Sequence, residues 1–318
     1  MAARVRVRVP ATTANLGPGF DALGMALALF NRFEVERLPE GCYVEAHGQS
    51  ADLIPQGEDN LVVRAARAVW ERAGLEPAGW RVRLWTEIPL GCGLGSSASA
   101  IVGGVVAANV LAGEPLGTDE LLAIAAGLEG HADNVTAAML GGFTVATHRP
   151  GEAVRWERVE VRGVRAVVAV PDVVLPTERS RRVLPKAVSL ADAVFNVGRA
   201  SLLVAAMAVG DRAGIAAGLD DRLHQPYRAS LVPGFGSVVA AAKGAGALGA
   251  VLSGAGPSVL ALIPEPMNAE PVGEAMVGAF RDAGVTARWL ALSPDHGGVA
   301  VEQIDALDGH RAAGREVL

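Results

Sequence analysis

The chain has 318 residues, of which 51% are apolar and 19% charged, and a formal net charge of −6. This composition predicts a globular protein and argues against a nucleic-acid partner, because phosphate backbones select clustered Lys and Arg. The two cysteines, Cys42 and Cys92, form neither a metal pair nor a disulfide framework, so we expect a cytoplasmic protein. The N-terminal "MAARVRVRVPATT" lacks the apolar core of a signal peptide, and no membrane partner is expected.

The first predicted element is a strand at Arg4–Val9, where "RVRVRV" alternates with period two. Pro10 is expected to end this strand ahead of a turn-rich loop, "ATTANLGPGFD". Further strands are expected at Ala26–Glu36 and Tyr43–His47, followed by a helix in "DNLVVRAARAVWERAG" that stops at Gly74. "WRVRLWTEIP" returns to period two and leads into the loop "PLGCGLGSSASA".

Helices are then predicted at Ser96–Leu111 and Thr118–Leu128, the second with Thr118 as its N-cap, followed by the strand-like segments "GGFTVAT" and "VRAVVAVPD". The remaining predicted elements are helices at Ala187–Val209, Gly236–Gly244 and Met276–Gly284, and two strands around a glycine turn in "ALGAVLSGAGPSVLALIP". Strands and helices that alternate without a Rossmann order predict an α+β fold in two lobes, which we divide into residues 1–155 and 156–318.

The loop "PLGCGLGSSASA" has the composition of an anion site. Glycines let backbone N–H groups approach an anion, and a helix N-terminus adds unpaired donors and a positive dipole end. Ser96 and Ser97 would supply hydroxyls, one for a phosphate oxygen and one for Mg²⁺. The loop lacks the lysine of the P-loop motif. A tight turn packed with small residues explains the same pattern, and a serine hydrolase would need a His or Lys close to the serine.

A second polar cluster occurs in "LEGHADN", which contains Glu129, His131, Asp133 and Asn134 beside apolar sequence. Zinc is a poor candidate because the cluster has one histidine and no cysteine, whereas Mg²⁺ needs few protein ligands. An exposed polar helix end is the alternative interpretation. A second glycine loop, "SGAGPSV" at Ser253–Val259, lies between apolar strands. Together these segments predict a site at the junction of the two lobes.

"PLGCGLGSSASA", "EGHADN" and "LSGAGPSV" resemble, in order, the three motifs of the GHMP small-molecule kinases. "PATTANLGPGFDALGMAL", "TERSRRVLP" and "DRLHQPYR" are similar to segments of the homoserine kinases within that family. The resemblance implies a nucleotide-binding N-terminal lobe like ribosomal protein S5 domain 2 and a ferredoxin-like, substrate-binding C-terminal lobe. It also implies ATP and Mg²⁺, a homodimer, and phosphorylation of the side-chain hydroxyl of L-homoserine to O-phospho-L-homoserine in threonine biosynthesis.

The resemblance also assigns site residues. Ser97 and Glu129 would bind Mg²⁺, and Asn134, Asp133 and Glu129 would form the catalytic group. The residues assigned to ATP are Asn60, Pro89, Leu90, Gly91, Cys92, Gly93, Leu94, Gly95, Ser96, Ser97 and Ala98. Those assigned to the substrate are Asn15, Asp21, His131, Arg181, Arg228 and Gly256, with the two arginines on its carboxylate.

Asn134 occupies the position of an aspartate base in several relatives, and an amide cannot accept a proton. Neither of the two lysines, Lys186 and Lys243, lies in a matching motif. We therefore expect Asn134 to orient the hydroxyl, since positioning dominates phosphoryl transfer. Related enzymes often have an arginine at the position of Cys92 and a proline at the position of Ala132. The alternatives are a related kinase for another alcohol and a catalytically silent sensor of amino acid or nucleotide.

Overall fold

The computed structural model describes residues 2–75, 77–149, 152–306 and 311–316. Its strands are β1 (Ala2–Ala14), β2 (Leu23–Leu38), β3 (Gly41–Gly48), β4 (Gly79–Thr86), β5 (Phe143–Thr147), β6 (Arg155–Val159), β7 (Val164–Pro171), β8 (Gly249–Leu252), β9 (Val259–Pro264), β10 (Ala287–Leu292), β11 (Ala300–Ala306) and β12 (Arg311–Glu316). Its α-helices are α1 (Leu61–Arg72), α2 (Ser96–Ala112), α3 (Thr118–Glu129), α4 (Asp133–Leu140), α5 (Thr177–Arg182), α6 (Leu190–Val209), α7 (Arg212–Gly218), α8 (Gln225–Arg228), α9 (Phe235–Gly244) and α10 (Glu270–Asp282).

The first sheet has eight strands within the described ranges, in the order β12-β11-β1-β2-β4-β3, with β5 paired to β2 and β6 to β5. Its pairs are antiparallel except β3 with β4, which α1 connects. The valines of "RVRVRV" point into a core shared with α1 to α4. The alternating arginines lie on the other face, where Arg6 and Arg83 both bond Glu34.

Two local predictions were wrong. Strand β1 continues through Pro10 to Ala14, because the register shifts between Pro10 and Ala11 and so accommodates a residue without an N–H donor. Thr118 is the first residue of α3, and Gly117 is its N-cap. There the Glu120 side chain accepts from the Gly117 backbone N–H, which does not depend on a hydroxyl at position 118.

The second sheet is antiparallel, with the order β10-β7-β9-β8. In chain order these strands are fourth, first, third and second, with helices between β7 and β8 and between β9 and β10. This is the ferredoxin-like arrangement, so the predicted two-lobed α+β fold is confirmed. Helices α9 and α10 pack on one face of the sheet, and α6 and α7 on the other.

The two sheets do not divide the chain at residue 155. Strand β6 begins there and pairs with β5 in the first sheet. The chain then forms the second sheet and returns, so that β11 pairs with β1, with Val5 opposite Ile304. The first lobe is therefore built from both ends of the sequence, and the second lobe is inserted between them.

Candidate active site

One cavity of about 370 Å³ lies where the glycine loops of the two lobes meet. Every site residue assigned from the sequence lines it except Ala98, which is buried in the first turn of α2. The cavity also contacts residues that the sequence had not singled out, among them Thr177, Gly254 and Ala255. The six motif segments, which are far apart in the sequence, therefore meet at one place.

The loop between β4 and α2 needs its glycines. Gly91, Gly93 and Gly95 all have φ between +65° and +75°, a region that residues with a Cβ rarely adopt. A Cβ on Gly93 would lie 2.1 Å from the Ser253 carbonyl oxygen, and one on Gly95 would lie 1.9 Å from Thr12 Oγ1. Among the described residues no side chain caps the N-terminus of α2, so its first N–H groups and positive dipole end are left for a ligand in the cavity.

Ser97 and Glu129 meet beside this helix N-terminus. Ser97 Oγ donates to Glu129 Oε1 at 2.6 Å. Burial raises the pKa of Glu129 and outweighs the hydrogen bond from Ser97 and the nearby His131, both of which lower that pKa. Among the described residues no lysine or arginine lies within 4.0 Å of this carboxylate, and His131 Nε2 is 3.9 Å away. Within that distance, the partner of Glu129 that can carry a positive charge is therefore a histidine.

The cluster in "EGHADN" is organised around Asp133, which begins α4 and is 1% exposed. Its Oδ1 bonds His131 Nδ1 at 2.6 Å and accepts from the Asn134 N–H at 2.7 Å. Burial opposes a charged imidazole, but the Asp133 hydrogen bond and the surrounding carboxylates raise the pKa of His131. Asn134 Oδ1 accepts from Thr12 Oγ1 at 2.7 Å, and Nδ2 donates to Asp133 Oδ1 at 3.4 Å, which fixes the amide and leaves the second N–H of Nδ2 as its remaining donor.

The loop after β1 carries backbone strain at the cavity. Asn15, Leu16 and Asp21 all have positive φ, which is uncommon outside glycine and clusters at functional sites. Asn15 holds the loop by accepting from the Asp21 N–H at 3.0 Å and donating to the Gly254 carbonyl at 2.8 Å. Asp21 in turn accepts two hydrogen bonds from Arg181, at 2.9 and 3.0 Å.

Arg228 differs from Arg181 because it is 1% exposed and no carboxylate lies within 4.0 Å of it among the described residues. Its Nε donates to the Ser180 carbonyl at 3.2 Å, and Nη1 bonds His224 Nδ1 at 3.2 Å. Burial, together with the positive charge of Arg181, lowers the pKa of Arg228 to about 10, so it is still a cation at neutral pH. A buried cation without an ion-pair partner is costly, and in a cavity it indicates an anionic ligand.

Some assigned residues have structural duties as well. Asn60 caps α1 by accepting from the Val62 N–H, and it donates to the Pro55 carbonyl. Cys92 is buried, burial raises the pKa of its thiol, and its Sγ donates to the Leu90 carbonyl. Gly256 lines the cavity with φ +83°. Both lysines are exposed and neither lines the cavity.

Sequence reasoning missed Thr12, Phe20 and His224. All three lie inside segments that it had quoted, "PATTANLGPGFD" and "DRLHQPYR". Phe20 is stacked on the His224 ring and lies beneath both Arg181 and Arg228, at 5.8 and 5.3 Å from its centroid. Their presence in those segments was the available signal, but their partners are more than a hundred residues away.

Comparison with known proteins gives consistent matches. The family model for the GHMP kinases N terminal domain matches residues 60–142, and that for the GHMP kinases C terminal region matches residues 203–282. A homoserine kinase of Moorella thermoacetica is 47% identical, covering 93% of this chain and 99% of that protein. One from Carboxydothermus hydrogenoformans is 45% identical, covering 92% and 95%.

Solved structures agree. A homoserine kinase from Cytophaga hutchinsonii superposes with a TM-score of 0.87 at 32% identity, covering 95% of this chain and 98% of that one. The mevalonate kinase of Methanococcus jannaschii, at 17% identity and a TM-score of 0.66 over 92% of this chain and 98% of that one, shows the shared fold alone. The chain therefore belongs to the homoserine kinases of the GHMP kinase family.

Proposed function

We propose that this protein transfers the γ-phosphoryl group of ATP to the side-chain hydroxyl of L-homoserine, giving O-phospho-L-homoserine in cytoplasmic threonine biosynthesis. The observation that carries the proposal is the buried Arg228 guanidinium, which faces a shared cavity without a carboxylate partner among the described residues. In the same cavity, the N-terminus of α2 supplies donors for phosphate oxygens. One cavity thus has places for both a phosphate and an amino-acid carboxylate.

The charges around the cavity suit a zwitterion. Asp21 pairs with Arg181, and Arg228, which also lies over Phe20, is close enough to Arg181 for the two cations to repel. A substrate carboxylate between the arginines would relieve that repulsion, and its ammonium group would pair with Asp21. A sugar or another neutral alcohol offers neither charge. The arrangement therefore favours an amino-acid alcohol.

Magnesium would complete the nucleotide end. The Glu129 carboxylate is mostly buried and has no lysine or arginine within ion-pair distance among the described residues, so a divalent cation would compensate its burial. Ser97 and Glu129 supply the hydroxyl and carboxylate oxygens that Mg²⁺ accepts, and phosphates and water would supply the other ligands. When bound, the ion would neutralise charge on the phosphates.

The residues of the chain would act mainly by positioning. Asn134, held by Thr12 and Asp133, would donate the second N–H of Nδ2 to the substrate hydroxyl and cannot accept its proton. Asp133 already accepts hydrogen bonds at Oδ1 from its own neighbours, and we infer that it holds His131 and the start of α4. The loose transition state of phosphoryl transfer needs alignment more than a strong base, so the proton would pass to phosphate or solvent.

Replacing Asp133 with asparagine tests this mechanism. Because Asp133 is assigned a positioning role, we expect kcat to fall by about tenfold, less than the loss of a general base would cause. Steady-state rates and the KM values for both substrates give the result. A loss of about a thousandfold in kcat with unchanged KM values would make Asp133 the base and contradict the mechanism.

The proposed function is tested by ADP release with ATP and Mg²⁺ across L-homoserine, L-threonine, L-serine, mevalonate and galactose, with phosphorus NMR of the product. We expect L-homoserine to be the preferred substrate and to give an O-phosphohomoserine signal. ADP release driven by another of these alcohols would support a kinase but contradict the assignment of Arg181 and Arg228 to a substrate carboxylate. Nucleotide binding without ADP release in the presence of any of these alcohols would favour a catalytically silent sensor.

We further infer a homodimer that pairs through the outer face of α6. Helix α6 has 20 residues, and within the described ranges it is the helix that is long and apolar enough to cross a membrane. Length and composition alone are weak evidence of a membrane span. Leu190, Val194 and Val197 on its outer face are 81%, 62% and 68% exposed. A face about 30 Å long supplies much of the roughly 800 Å² per partner that a stable dimer buries.

Replacing Val197 with aspartate should therefore convert the dimer to a monomer, because the substitution places an unpaired charge within the paired apolar faces. Sedimentation velocity measures the change. Tyr43→Asp, at a residue that is 53% exposed on β3, is the control and should leave the dimer intact. A monomeric wild-type protein, or a Val197→Asp variant that stays dimeric, would contradict the assignment of this face.

A further inference from the structure

His224 is a fully buried histidine next to Arg228, and the proposed chemistry does not use it. Its Nε2 lies 2.8 Å from the Gly17 carbonyl oxygen, which can only accept, so Nε2 carries a proton. Its Nδ1 lies 3.2 Å from Arg228 Nη1, which can only donate, so Nδ1 is unprotonated. The two contacts define one neutral tautomer, and the lowering of the His224 pKa by burial agrees with it.

The surroundings of the ring hold it in place. The buried Asp221 carboxylate accepts from the backbone N–H groups of Leu223, His224 and Gln225 and from the Asn196 side chain, which anchors the start of α8. Phe20 stacks on the imidazole ring, with ring centroids 5.3 Å apart and planes 26° apart. The imidazole therefore has little freedom to turn away from Arg228.

The remaining contacts of Arg228 show what this achieves. Nε donates to the Ser180 carbonyl at 3.2 Å, and Nη1 reaches both His224 Nδ1 and, at 3.4 Å, the Gly254 carbonyl. These acceptors are all neutral. They fix the plane of the guanidinium and leave Nη2 without a hydrogen-bond partner in the described part of the chain, on a residue that lines the cavity.

A neutral acceptor has a particular advantage here. A carboxylate at position 224 would also orient Arg228, but it would neutralise the cation and compete with an anionic ligand for it. An unprotonated imidazole nitrogen orients the guanidinium without neutralising the positive charge of Arg228. A protonated Nδ1 would instead place two donors against each other.

We propose that His224, as its neutral Nε2-protonated tautomer, is the positioning residue that sets the guanidinium plane of Arg228 and so selects alcohols that carry a carboxylate. This inference rests on the proposed function. It adds a determinant of substrate choice that does not itself touch the substrate. Its effect should therefore depend on the substrate having a carboxylate.

Two variants separate the contacts of the ring. His224→Asn places an amide oxygen near the position of Nδ1 and keeps an acceptor for Arg228, whereas His224→Gln extends toward Gly17 and loses that acceptor. The substrates are L-homoserine and 3-aminopropan-1-ol, the same amino alcohol without the carboxylate. For L-homoserine we expect His224→Gln to lower kcat/KM about 30-fold, mainly through KM, and His224→Asn to lower it about threefold or less.

For 3-aminopropan-1-ol, both variants should match the wild-type protein in kcat/KM, and the KM for ATP should not change. Equal losses on the two substrates, or equal losses from Asn and Gln, would overturn the inference while leaving the proposed function standing. A wild-type protein that does not prefer L-homoserine to 3-aminopropan-1-ol would overturn both. ¹⁵N NMR of the histidine-labelled wild type adds a test without a variant: a protonated Nδ1 on His224 would overturn the assignment.

Discussion

Arg228→Met is expected to lower kcat/KM for L-homoserine by about a thousandfold, because it removes a buried cation from the substrate carboxylate. The KM for ATP should stay within about twofold, since the hydrogen bonds of Arg228 in the described part of the chain go to Ser180, His224 and Gly254 and not to the loop before α2. Steady-state kinetics with each substrate varied in turn measure both. The kcat/KM for 3-aminopropan-1-ol, which has no carboxylate, should change little in this variant.

The same substitution should not destabilise the free protein. The folded state lowers the pKa of Arg228, so the charged form is less favourable there than in the unfolded chain and costs stability at neutral pH. Thermal unfolding without ligands checks this point. Arg222→Met, at an arginine of the same segment that is half-exposed, is the matched control and should retain activity. A loss equal for both alcohols, or in the Arg222 variant, would contradict the carboxylate assignment.

Glu129→Gln should lower kcat/KM by at least about a hundredfold and weaken the dependence on Mg²⁺, because the amide keeps a hydrogen bond to Ser97 but carries no charge for the ion. A magnesium titration of the rate measures this effect. Glu120→Gln, on the same helix but outside the cavity, is the control. A Glu129→Gln variant with the wild-type dependence on Mg²⁺ would show that the ion binds elsewhere.

Although Glu129→Gln should lower the activity, it should raise the stability of the protein at neutral pH in the absence of Mg²⁺. Folding raises the pKa of Glu129, so the folded protein binds its proton more tightly than the unfolded chain. This contribution to stability is present below the ordinary value of 4.5 and is lost as the pH rises through the folded pKa. Without Mg²⁺ the variant should therefore unfold at a higher temperature than the wild type at pH 7.5, and the difference should disappear toward pH 4.5.

Much of the site could be predicted from the sequence because its chemistry is concentrated in short segments. The glycine loop, the "EGHADN" cluster and the two arginines all line the cavity. Thr12, Phe20 and His224 were missed because their roles depend on contacts between segments distant in the sequence, such as Thr12 with Asn134. No local pattern reports such a contact.

The fold shows the same difference between local and distant information. Period-two alternation located β1, but its continuation through Pro10 depends on a register shift against β2. Likewise, no strand was predicted near residue 300, where "VAVEQID" lacks period-two alternation and gives no sign of which sheet it will join. Only the paired structure shows that β11 completes the first lobe.

The return of β11 to β1 has a consequence for biosynthesis of the chain. During translation β1 is made long before β11, so one of its edges stays unpaired until residues near 304 have left the ribosome. An unpaired edge invites association with other nascent chains, and charged side chains on such a strand discourage it. The arginines that alternate along "RVRVRV" place positive charges on this strand, so we expect them to discourage such association until β11 has been made.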